Sequence, residues 1–134
     1  MAPYLLSFAI NPHVSGITRQ GSHVEDLLGL PASVQAIKDL QQTIAMTYSH
    51  DHVMLLSYSY LPDHHEHPGT SGNYSYFITC QVETTITTTL QTLHFQRSQP
   101  IRTLDDVRGV EAWLREKTGA VRANLFNCIP LKST

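Results

Sequence analysis

Hydrophobic and polar positions alternate most clearly between Tyr74 and Gln96, a run rich in β-branched and aromatic residues and free of Gly and Pro. Tyr76, Ile78, Cys80 and Val82 fall on one parity against Ser75, Thr79, Gln81 and Glu83 on the other, the period of a half-buried strand. Ile86 and Leu90 keep that parity, whereas Leu93 and Phe95 take the opposite one. A bulge or turn between Leu90 and Leu93 is therefore expected. Because a strand usually spans about 5–6 residues, the run reads as two strands or one strongly bent strand.

The remaining elements follow from the same reading. Tyr4 to Ile10 predicts a buried first strand closed by Asn11-Pro12, and His13 to Gly21 a surface loop with Gly16 and Gly21. Ser22-His23-Val24-Glu25 has the spacing of a capping box, which predicts a two-turn helix ended by Gly29 and burying Val24, Leu27 and Leu28. Pro31 and Ser33 open a longer helix with Val34, Ile37, Leu40, Ile44 and Tyr48 on one stripe. Val53 to Leu61 predicts a central strand, and Pro62 to Asn73 a loop punctuated by Pro and Gly. After Pro100, Thr103 supplies an N-cap, Asp105 and Asp106 suit the helix dipole, and Leu104, Val107, Val110, Trp113 and Leu114 form the next stripe up to a C-cap at Gly119. Val121 to Leu131 predicts the last strand.

These elements predict an α+β fold for residues 1–134 as a single domain: a mainly antiparallel sheet of four or five strands, with the two longer helices on one face. No internal repeat is evident in the sequence. A chain of 134 residues buries roughly two-thirds of its unfolded surface and needs no staples.

Composition narrows the function. Lys and Arg number 9 against 11 Asp and Glu, and the basic residues are scattered singly, so no stripe for tracking phosphates exists and nucleic acid is not an expected partner. The N-terminal MAPYLLSFAINP carries an apolar run too short for a membrane span and lacks the basic residues of a signal peptide. With only Cys80 and Cys128 and no close pair, a soluble, reducing, cytoplasmic setting is expected, both thiols acting as small core hydrophobes.

Two patterns carry candidate chemistry. His64, His65 and His67, with Asp63 and Glu66, offer ligands suited to zinc or a similar divalent metal, with His50 and His52 at the far end of the intervening strand. The alternative is a solvated loop. The Thr-rich row from Thr84 to Thr92 reads either as the wet face of a strand or as a surface that recruits a partner. Phosphate loops, nucleotide fingerprints and nucleophile elbows do not occur. The expectation is a non-catalytic accessory or inhibitor-type module without a cofactor. It would bind another protein, or itself as a homodimer, through Thr85, Thr87, Thr89, Tyr74 and Tyr76; a metal-binding protein or metal-dependent enzyme using residues 63–67 is the alternative.

Overall fold

A computed structural model describes residues 1–11, 19–29, 31–69 and 72–132. In chain order the elements are β1 (Ala2–Ile10), β2 (Arg19–Leu27), α1 (Val34–Thr47), β3 (Val53–Tyr60), β4 (Tyr74–Glu83), β5 (Thr88–Arg97), α2 (Leu104–Thr118) and β6 (Arg122–Leu131). The class is α+β, as the periodicity predicts. The strands, however, form two three-stranded antiparallel sheets, ordered β2-β1-β3 and β5-β4-β6, instead of one sheet of four or five. Each sheet carries its own helix. Leu40, Ile44 and Ala45 of α1 pack with Leu6 and Phe8, while Val107, Val110 and Leu114 of α2 pack with Ile78, Cys80 and Leu125.

Four local predictions need correction. Ser22 to Leu27 is strand, not helix: Ser22 pairs with Ser7 across β1, and its hydroxyl donates to Glu111 instead of capping a helix. The expected loop of residues 13–21 lies mostly outside the described residues, and its last part, from Arg19, already belongs to β2. The phase change in the long β run falls at a turn, Thr84–Thr87, where the Thr84 hydroxyl accepts from the Ile86 and Thr87 amides at 3.3 and 3.0 Å. Finally, β3 is an edge strand, and β1 and β4 are the central ones.

Both helix starts match the sequence reading. The Ser33 hydroxyl accepts from Ala36 N at 3.0 Å, and Thr103 and Asp106 make a reciprocal capping box. Gly119, at φ 71°, ends α2 in the left-handed conformation that glycine adopts without strain.

The chain is a structural duplication, ββα β followed by ββαβ, that the sequence does not display. The strand orders are the same, the N-caps Ser33 and Thr103 stand seventy residues apart, and the register slips at matching places. In the first unit the slip lies between Ser7 and Phe8 and leaves Leu56 as the extra residue of β3; in the second it lies between Thr79 and Cys80 and leaves Phe126 extra in β6. Beside each bulge one helical side chain satisfies the freed amide. Gln41 Oε1 accepts from Leu55 N at 2.8 Å, and Glu111 Oε2 accepts from Leu125 N at 2.8 Å, the same bond seventy residues on.

Tyr76 and Cys128 are buried in the second unit's core, and the Tyr76 hydroxyl oxygen accepts from Ile101 N at 2.9 Å. Burial pushes the Tyr76 phenol and the Cys128 thiol each up to about 12. Since the unfolded chain releases these protons at lower pH than the folded one, stability is complete below the unfolded values and falls as pH rises through them. A denaturant titration should show a loss on the order of 1 kcal/mol from Tyr76 by about pH 11, with Cys128 acting in the same direction. Tyr76→Phe should flatten its share of that slope.

Candidate protein-binding face

The two units meet through one face of the first sheet. Leu5 and Val24 project from that face into the core of the second unit, and β6 lies against β1, β2 and β3. Polar bonds accompany the apolar contact. Gln20 Nε2 donates to the Leu125 carbonyl at 3.4 Å, and Ser59 Oγ donates to Asn127 Oδ1 at 2.7 Å. Arg108 Nη1 donates to Ser22 Oγ at 2.8 Å and to Glu111 Oε1 at 2.7 Å, and its Nη2 donates to the Ser22 carbonyl at 2.8 Å. Glu111, only 2% exposed, is thus held by Arg108, Ser22 and the Leu125 amide. This arrangement satisfies a buried carboxylate and fixes the two units relative to each other.

The second sheet presents the matching face outward. Phe77, Thr79 and Gln81 of β4 stand opposite His94, Thr92 and Leu90 of β5, and Phe77 also faces Ile129 of β6. On this face Phe77 is 40% exposed, Leu90 65% and Ile129 47%. Apolar and hydroxyl groups are interleaved, with α2 covering only the opposite side, where Ile78 and Cys80 point. The edge strand β3 also exposes apolar side chains: Tyr58 and Tyr60 on the α1 side opposite Leu6 and Tyr4, Met54 on the other face opposite Ala9, and Leu56 at the bulge.

The partner-binding residues expected from the sequence do not make one surface. Tyr74 and Tyr76 are interior, because their parity is that of Ile78 and Cys80. Thr85 and Thr87 belong to the turn, and Thr89 pairs with Val82 on the helix-bearing side. Thr79 and Thr92 are the threonines that stand beside Phe77 on the outer face. The signal was present in the sequence: Phe77 sits on the polar parity of β4.

The histidines are dispersed in orientation. His64 and His65 lie in an exposed turn with ring centroids 3.9 Å apart. His67 is buried, its ring edge-on to Tyr74 and Tyr76 at 5.1 and 4.9 Å, with Nδ1 accepting from Gly69 N at 2.8 Å. Burial lowers the His67 pKa, the Ser75 backbone acting weakly in the opposite direction. His67 is therefore a packing residue turned away from its two neighbours. Among the described residues no three His, Cys, Asp or Glu side chains gather into a group that would hold a metal ion. Among the same residues no helix is long and apolar enough to cross a membrane.

Comparison with known proteins returned no match, whether to a protein family, a curated protein or a solved structure.

Proposed function

We propose that this chain is a non-catalytic module that works by binding protein, with the outer face of the second sheet as its contact surface. The carrying observation is that face itself: Phe77, Leu90 and Ile129 are exposed among Thr79, Thr92 and Gln81, while the same side of the first sheet is covered. Clustered apolar side chains with hydroxyls between them are the composition of an interface core with satisfiable polar groups. Low charge on the face suits a contact made by shape and desolvation more than by long-range attraction.

The test is affinity capture with the wild-type chain and with Thr92→Lys, each shown to unfold cooperatively at a similar temperature. Capture of a defined partner that falls at least tenfold in the variant supports the reading, since a lysine must be desolvated at that site. Capture unchanged by Thr92→Lys, together with a stoichiometric metal that disappears on replacing His64 and His67, would instead establish the metal-binding alternative.

A further inference from the structure

We infer that the partner of this face is a second copy of the chain, bound head to tail: the outer face of the second sheet of one copy docks on α1 and β3 of the next. The inference rests on the protein-binding reading and names its occupant. It follows from the duplication, because the chain already contains one instance of the contact. Internally, the outer face of the first sheet docks on α2 and β6. The duplicate of that docking face is the uncovered face of the second sheet, and the duplicate of its receptor is α1 with β3.

The chemistry is kept at several of the matched positions, although His94 stands where Val24 does. On the docking face, Phe77 stands where Leu5 does, Thr79 where Ser7 does and Thr92 where Ser22 does, as the ladder pairings Ser7 with Ser22 and Thr79 with Thr92 require. On the receptor, Lys38 takes the place of Arg108 and Gln41 that of Glu111, and both Gln41 and Glu111 already bond the amide beside the bulge. The internal set of Arg108, Ser22 and Glu111 thus has an intermolecular counterpart in Lys38, Thr92 and Gln41: a cation, a hydroxyl and a side-chain acceptor in the same order.

The groove beside each helix is duplicated as well. One is lined by Lys38, Gln41, Ala45 and Val53, the other by Arg108, Glu111, Arg115 and Ala123, position for position. Tyr58 occupies the place of Cys128, and the two differ in exposure as the inference requires. Cys128, next to the internal contact, is 2% exposed, whereas Tyr58, next to the vacant receptor, is 41% exposed. Two bonds are not carried over: Leu90 replaces Gln20, and Ile129 replaces Ser59, the internal partner of Asn127, so that both positions bring apolar surface instead of a donor.

The docking face and its receptor are different surfaces, so the contact is heterologous. Each added copy leaves one of each surface free, and the assembly grows to a ring or filament of three or more chains, not a two-fold dimer.

Sedimentation and native mass spectrometry of the wild-type chain and two variants provide the test. Phe77→Asp disables the docking face, Tyr58→Asp the receptor, and Leu90→Glu or Lys38→Glu replaces either variant that loses its cooperative melting transition. The expected results are wild-type assemblies of three or more copies, monomers for each variant alone, and a one-to-one complex when the two variants are mixed, because one good docking face and one good receptor remain. A monomeric wild-type chain, a wild-type assembly that stops at a symmetric dimer, or a variant mixture that stays monomeric overturns the inference. If the wild-type chain is monomeric while Thr92→Lys still abolishes capture of a different protein, the second copy is refuted and the protein-binding reading survives.

Discussion

Glu111→Ala is expected to lower the unfolding free energy by about 3 kcal/mol, and Gln41→Ala by only about 1 kcal/mol, although the two residues occupy the same position in the two units. Both accept from the amide beside a bulge, so that loss is shared. Glu111 does more. Its carboxylate also takes the Ser22 hydroxyl and the Arg108 guanidinium, and it is almost completely buried, so alanine leaves several donors without an acceptor at the junction of the units. The Arg108 side chain is 39% exposed and recovers part of its solvation, which keeps the loss below that of stranding a fully buried ion. Urea denaturation of the two variants against wild type measures the difference. Equal losses would mean that the Arg108–Ser22–Glu111 junction adds nothing beyond the shared amide bond.

Leu5→Ala should cost about 2–5 kcal/mol, whereas Phe77→Ala should cost less than about 1 kcal/mol in the isolated chain. The residues are again duplicates, each on the outer side of a central strand, and Phe77 is the larger. Surroundings reverse the ranking. Leu5 is inaccessible and packs in the second unit's core, so truncation opens a cavity at the contact between units. Phe77 has no such cover within the chain. Thermal or urea melts at low protein concentration read the comparison directly. A large loss at Phe77 would show that its ring is held by neighbours within its own chain.

The helices and most strands were legible in the sequence because their signals are local. Ser33, Thr103, Asp106 and Gly119 are capping chemistry, and the alternation of Tyr76, Ile78, Cys80 and Val82 gives the buried side of β4 correctly. The helix expected at Ser22 failed because the capping-box spacing there is coincidental. Glu25 bonds the His23 ring instead of a backbone amide, and Ser22 serves a residue 89 positions away. The polar side of β2 hid its strand character, since Gln20 and Ser22 face a polar junction that only the folded chain assembles. The duplication does not show in the sequence because the matched positions are seldom identical, some similar, as Lys38 with Arg108, and others unrelated, as Tyr58 with Cys128 and Ala45 with Arg115, and because the first hairpin is longer than the second. The residues of the outer face were hidden for a related reason: residue type drew attention to Thr85, Thr87 and Thr89, whereas strand parity puts Phe77, Thr79 and Thr92 on that face.

Among the described residues no strand of one sheet is a ladder neighbour of a strand of the other, and the chain passes from the first half to the second between Tyr60 and Tyr74. A nick placed in that tie would spare every rung of both ladders. The two pieces, coexpressed, should therefore find each other through Leu5, Ser22 and Glu111, which makes the protein a natural candidate for a split reporter whose reassembly needs no strand pairing across the cut.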